Sequence, residues 1–276
     1  MTIILTNSEA WYGLTKANIE QLEQVDEMLL RRVLEVGSCC PKEMLYLETG
    51  ATPMRFTLIQ RRLMFLHYIL NEDKNSIIYK CFEAQKKNPC RNDWINTVEE
   101  DLANLDIGLS FDDIQTLSKY QWQQFLSQII EERALEYLNK LKLSHSKVEL
   151  VEHKSLELQE YFQPQNVESI QLSKFLFQAR TRMLELKCNL KSKYSKKNLQ
   201  CPLKCNLEDS QKHLLLCEKL EVNLITSQLP QYDDIYSENV DKQLKVGKIL
   251  EERYRRRRKL LSSGPRVNQL NVFSST

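Results

Sequence analysis

The chain has 276 residues and a net charge of +2, with 42% hydrophobic and 28% charged residues but only 6 glycines and 7 prolines. Phosphate-cradling loops, sandwich turns and doubly wound sheets draw heavily on glycine. Neither G-x-G-x-x-G nor G-x-x-x-x-G-K-[ST] occurs, so the usual nucleotide-binding α/β folds and all-β sandwiches are excluded and a helical protein is expected.

The first predicted helix runs from about Thr15 to Val36. Ile19, Leu22, Val25, Leu29 and Val33 recur at intervals of three and four as its apolar face, and Gly37 ends it. Pro41–Leu47 reads as a short helical piece. Thr52 and Pro53 then open another helix as N-cap and first helical residue. Its apolar face is Phe56, Ile59, Leu63, Leu66 and Leu70, with Arg55, Arg61 and Arg62 pointing elsewhere. Ser76–Lys86 and Asp93–Leu105 follow as shorter helices, and Ser110 with Asp113 has the spacing of a capping box. A long helix from Ser118 to about Leu143 presents Trp122, Phe125, Ile129, Leu135, Leu138 and Leu141, whereas Ser144–Glu152 alternates like a strand or loop.

The charge is unevenly spread along the rest. Val167–Leu190 reads as one long helix that passes into the aperiodic basic run Lys191–Lys197. Residues 171–200 carry a net +7 and residues 251–260 a net +4, which leaves −9 for the other 236. An acidic body followed by a basic third is the footprint of a polyanion partner, although basic runs also serve as solvated helix faces. An acidic connector around Asp233 and Asp234 leads to a helix from about Ser237 to Leu261, and residues 262–276 read as a disordered tail. The expected fold is all-α. Residues 1–163 form a helical body, 164–200 a basic helix and linker, 201–217 a knuckle, and 218–261 the connector and basic terminal helix.

The strongest local signal is Cys201-x3-Cys205-x7-His213-x3-Cys217. Zinc takes four sulfur or imidazole ligands in a tetrahedron, and short Cys–Cys and His–Cys spacings let two turns present them. Lys204 and Asn206 suit a tight ligand turn, and His213 with Cys217 fits one helical turn. The plainer alternative is an amphipathic helix with an incidental histidine and buried thiols. Cys39, Cys40, Cys81, Cys90 and Cys188 read as core thiols, Cys188 being at most a spare ligand. Met1–Leu5 is too short for a signal-peptide core, and no apolar run approaches 18 residues. An intracellular setting without disulfides and without a membrane is therefore expected, nuclear or cytoplasmic with the nucleus favoured.

Catalytic constellations are not found. Phe111-Asp112-Asp113 superficially resembles the aromatic-x-Asp-Asp of metal-dependent polymerases, but its aromatic is one position off and a helix-start signature surrounds it. No nucleophile elbow is present. Basic residues interleaved with aromatics point to phosphate neutralisation and base stacking instead. The candidate nucleic-acid contacts are Arg180, Arg182, Lys187, Lys191, Lys193, Lys196, Lys197, Lys204 and Arg255, Arg256, Arg257 and Arg258. The last four also read as a nuclear localisation signal or an exposed helix end.

Several blocks carry a family resemblance. Asn7–Thr15, Leu22–Glu27, Leu45–Gly50, Arg61–Leu70 and Phe175–Leu184, followed by the Cys201–Cys217 segment, resemble in order the region after the catalytic palm of non-LTR (LINE-type) retrotransposon reverse transcriptases. The resemblance covers roughly residues 5–260. It implies a thumb-like helical region and a CCHC segment that help to grip RNA and DNA, with structural zinc on Cys201, Cys205, His213 and Cys217. Fingers, palm and endonuclease are not in these residues. The implied product is a non-enzymatic nucleic-acid-binding tail with no small-molecule substrate, partnered by RNA or DNA and by an upstream polymerase core. The alternatives are a helical protein-interaction module that docks on a polymerase core in another chain, and a non-functional element remnant.

Overall fold

The computed structural model describes residues 5–88, 90, 93–143, 151, 153–189, 199–220 and 230–263. Among them are ten α-helices and no strand, so the protein is all-α. The chain forms two compact units, the first drawn from residues 1–33, 41–146 and 152–158 and the second from 34–40, 147–151 and 159–276. The segments read separately as basic helix, knuckle and terminal helix thus share the second unit. Residues 144–150 and 264–276, which hold most of the alternating segment and of the polar tail, lie outside the described residues.

The first unit is arranged around α3 (Met54–Leu70), which packs against α4 (Ile77–Lys87), α5 (Trp94–Asn104), α6 (Phe111–Thr116) and α7 (Lys119–Lys142). Its Leu58, Leu63 and Leu66 are fully buried, each contributing roughly 1.5–3 kcal/mol of burial. Pro53 itself is the N-cap, one residue later than expected, and makes no side-chain cap. Ser110 and Asp113 form a reciprocal capping box at the start of α6, so Asp113 serves as a cap. Ser118 and Gln121 form another on α7. The buried stripe of α7 is Trp122, Leu126, Ile130, Ala134 and Leu138, which shares only Trp122 and Leu138 with the expected face, and Trp122 Nε1 donates to the Leu63 carbonyl at 3.0 Å. Arg62 does not point away. It forms a two-pronged ion pair with Asp101 at 2.6 and 3.0 Å, with both side chains buried.

The larger departure is α1 (Lys16–Leu34), where Leu22 of the expected apolar face packs against Met54 and Leu58 but the C-terminal part of that face is turned outward. Glu23 and Asp26 are 4% and 3% exposed, whereas Val25, Met28, Leu29 and Val33 are 36%, 60%, 40% and 64% exposed. Long-range partners choose this orientation. Arg55 grips Glu23 at 2.6 and 2.7 Å and stacks over the Tyr137 ring, and Lys42 at the start of α2 (Lys42–Thr49) lies 3.9 Å from Glu27. Burial raises the Asp26 carboxyl above its ordinary range, an effect that the nearby Tyr46 hydroxyl only partly offsets.

In the second unit α10 (Val240–Ser263) is the axis, packed by α8 (Ile170–Arg180), α9 (Gln211–Leu216) and the 3-10 turns Glu160–Phe162, Glu218–Leu220 and Tyr232–Tyr236. The expected helix to Leu190 stops at Arg180. Thr181 is the C-cap and Arg182 enters the left-handed region at φ 55°. The Met183 amide donates to the Gln178 carbonyl at 2.7 Å and the Arg182 amide to that of Ala179 at 3.1 Å. Those two bonds define a Schellman motif, normally built on glycine. Asp106 ends α5 in the same way, at φ 55°, with the Ile107 amide on the Leu102 carbonyl at 2.9 Å. Gly247 lets α10 approach α8, since a Cβ there would fall 2.6 Å from Leu176 Cδ2.

Candidate metal centre

Residues 200–208 double back on themselves. Gln200 and Glu208 form an isolated antiparallel bridge, and the Cys201 amide donates to the Leu207 carbonyl at 2.7 Å. Between them Lys204 and Asn206 adopt φ of 62° and 58°, the tight turn that the sequence suggested around Cys205. Ser210 then caps α9, its Oγ accepting the His213 amide at 3.1 Å. The short helix carries His213 and delivers Cys217 at its C-cap.

These two pieces bring Cys201, Cys205, His213 and Cys217 together, one ligand atom from each lying within 4.8 Å of all the others. Cys205 Sγ and Cys217 Sγ are 3.4 Å apart. A tetrahedral thiolate site with bonds of about 2.3 Å has sulfurs roughly 3.8 Å apart, so small shifts would accommodate an ion. His213 Nε2 is buried and has no hydrogen-bond partner. Buried polar atoms rarely lack one, and a ligand bond would satisfy it. Burial pushes the Cys217 thiol up to about 12 and raises that of Cys201, and the neighbouring Cys205 adds to both. Burial likewise holds His213 below its ordinary value. A bound cation reverses this preference for protonated thiols, because coordination requires thiolates and a neutral imidazole. The four residues therefore fit a metal ion. Cys188 is outside the group and places its Sγ 3.5 Å from Asn189 Oδ1.

The centre is held from behind by groups that sequence spacing did not reveal. Asp209 Oδ2 accepts the Lys187 amide at 3.0 Å and Arg257 Nη2 at 2.7 Å. Arg253 donates to the Cys217 carbonyl at 3.1 Å. Gln211 Nε2 donates to the Ala179 carbonyl at 2.9 Å, and Tyr232 Oη donates to Gln211 Oε1 at 2.5 Å. Two of six basic residues in the α10 run thus point inward, at a spacing of four that places them on one face.

The candidate nucleic-acid contacts divide accordingly. Arg180 is a correction: it is 3% exposed and donates to the Ile235 carbonyl at 2.7 Å, between the Tyr161 and Tyr236 rings, where no phosphate reaches it. Arg257 is a second, because it is buried against Asp209. Arg182 and Lys187 are half-buried, while Lys204, Arg255, Arg256 and Arg258 are exposed. Arg255 and Arg256 pair along α10 with Glu251 and Glu252 at 2.6 and 3.2 Å. Lys191, Lys193, Lys196 and Lys197 lie outside the described residues.

A buried pair in the first unit also escaped the sequence reading: His153 Nε2 lies 3.1 Å from Glu48 Oε1, and both side chains are fully buried. Their separation of 105 residues leaves no local pattern to detect. No helix among the described residues is long and apolar enough to cross a membrane. The chain matches no protein-family model, no curated protein and no solved structure.

Proposed function

We propose that this chain binds nucleic acid through a zinc-stapled C-terminal unit, as the non-catalytic tail of a reverse transcriptase of the non-LTR type. The observation that carries the reading is the Cys3His cluster, which lies in the same unit as the exposed cations of α10 and of the Cys205 turn. Three thiols and an imidazole favour zinc over harder cations, and four protein donors leave no open coordination position for catalysis. Zinc in this reading fixes the short segment Cys201–Cys217, which is too small to build a core of its own.

Lys204, Arg255, Arg256 and Arg258 would neutralise phosphates, with Lys259 exposed on α10 and Lys212 exposed on α9. Such contacts release counterions, so affinity falls steeply with salt. RNA and DNA are both suitable ligands, and an upstream polymerase core is the partner that the resemblance implies. The exposed arginines of α10 also suit a nuclear import signal. Single-stranded RNA binding across a salt series is the test. An affinity that falls with salt at a slope of roughly −0.7 per neutralised phosphate supports the reading. Absence of binding at low salt, or binding without a salt slope, overturns it.

A further inference from the structure

The last turns of α10 lie open to solvent. Arg257 is the last buried residue of the helix, and every position from Arg258 to Ser263 is exposed. An unpacked helix end frays, because backbone with few buried contacts opens readily. This end can therefore open without disturbing the anchors at Arg253 and Arg257, whose partners are the Cys217 carbonyl and Asp209. It carries two hydroxyls, Ser262 and Ser263, which donate to the Lys259 carbonyl at 2.9 and 2.8 Å. Just upstream lie Arg258 and Lys259, exposed cations that make no ion pair among the described residues. Lys259 stands three positions before Ser262, and Arg258 four.

We propose that the Ser262–Ser263 pair is a phosphorylation site for a serine kinase that selects basic residues upstream of its acceptor. Such a kinase holds its substrate extended, with acidic groups facing the upstream cations, and a frayed end with Arg258 and Lys259 supplies both. In the transfer the serine Oγ attacks the γ-phosphorus of ATP and the new O–P bond replaces the one to the β,γ-bridging oxygen. ADP leaves, and the hydroxyl proton passes to the catalytic carboxylate of the kinase. When the helix closes again, a phosphate on Ser262 shares a helix face with Arg258 and Lys259, at spacings of four and three. It carries about −1.5 to −2 charges at pH 7, enough to cancel both cations. The helix dipole disfavours an anion at this end, so these two side chains are what hold the phosphate. Arg257 takes no part, because Asp209 keeps it inside. Arg258 and Lys259 belong to the cations proposed above to meet RNA, so the modification is a switch on that binding. This consequence, though not the site itself, rests on the nucleic-acid reading.

The test incubates the full, metal-loaded chain with magnesium ATP and a purified serine kinase that selects Arg or Lys three to four residues before the acceptor. Intact mass and peptide mapping should find phosphate on Ser262 or Ser263. Ser262→Ala with Ser263→Ala should abolish the gain, and Arg258→Gln with Lys259→Gln should slow it about tenfold. All four positions are exposed, so helical circular dichroism should be unchanged. In the modified chain the second phosphate ionisation, followed by phosphorus NMR, should fall below its usual value of about pH 6. The double glutamine variant, phosphorylated to completion, should return it. A wild type that takes up no phosphate, takes it elsewhere, or takes it equally fast without the two cations overturns the site. An unshifted ionisation overturns the pairing with Arg258 and Lys259. Phosphorylation should also weaken single-stranded RNA binding about tenfold and flatten its salt slope, and an unchanged affinity overturns the switch. An unmodified chain that binds no RNA refutes the nucleic-acid reading instead, and the site then stands or falls on mass and ionisation alone.

Discussion

Arg257 of the last helix reaches 2.7 Å to the Asp209 carboxylate, whose same oxygen accepts the backbone amide of Lys187. Asp209 lies four residues before His213, so one buried ion pair ties the basic helix to the loop that carries the metal ligands. Removing one partner of a buried pair leaves an uncompensated charge, at a cost of about 3–5 kcal/mol. Arg257→Ala should therefore destabilise the second unit by that order in urea unfolding. The neighbouring Arg258→Ala, on the exposed side, should change stability by less than about 0.5 kcal/mol and instead lower the salt slope of RNA binding. Equal stabilities for the two variants would refute this division of the run.

Metal content separates the cysteines. The purified wild type should hold about one zinc per chain, and Cys205→Ser should lose it. Cys188→Ser should retain it, since that thiol lies outside the cluster. Mass spectrometry under native conditions reads all three directly. Less than about half an equivalent in the wild type would count against the site.

Gly50 should not tolerate a side chain. It sits at φ 66°, and a Cβ would fall 2.6 Å from the Glu157 carbonyl carbon and closer still to the Leu158 nitrogen. Gly50→Ala combines a strained backbone with a backbone clash, for which a loss above ~2 kcal/mol is expected. Gly108→Ala is the control, because nothing lies within 4 Å of the added atom. Thermal unfolding of the two variants checks the contrast.

Asp26 gives the first unit a pH signature. Its carboxyl is raised in the folded state, chiefly by burial. Between the ordinary Asp value and the raised one, the folded state holds more protons than the unfolded state. The contribution to stability is thus fully present below the ordinary value and is lost as pH rises through the folded value. Asp26→Asn removes the penalty, so it should stabilise the fold at pH 7. The advantage should vanish in acid. An advantage that is constant from pH 3 to pH 8 would show that the carboxyl is not raised.

Local signals were readable from the sequence wherever their partners are close in the chain. The Cys201–Cys217 spacing marked the ligand group, and Ser110 with Asp113 marked a helix start. Signals that depend on distant partners were not. The periodicity of α1 located a helix but not the face it buries, because Arg55 and Lys42 outweigh the stripe only after the chain folds. Arg180 and Arg257 look like phosphate contacts in a basic run, and only the carbonyl of Ile235 and the carboxylate of Asp209 draw them inside. The end of α8 was missed for a different reason: a helix stop is sought at glycine, and here arginine holds the left-handed position.

That last substitution has a practical consequence. Arg182, Asp106, Glu35, Lys204, Asn206 and Asn7 all carry side chains at positive φ, a conformation that most residues adopt only at a cost. Glycine at a helix end such as Arg182 would relax the backbone by roughly 1 kcal/mol. A chain so sparing with glycine therefore keeps an unused reserve of thermal tolerance at its helix ends, open to an engineer without touching the core or the metal ligands.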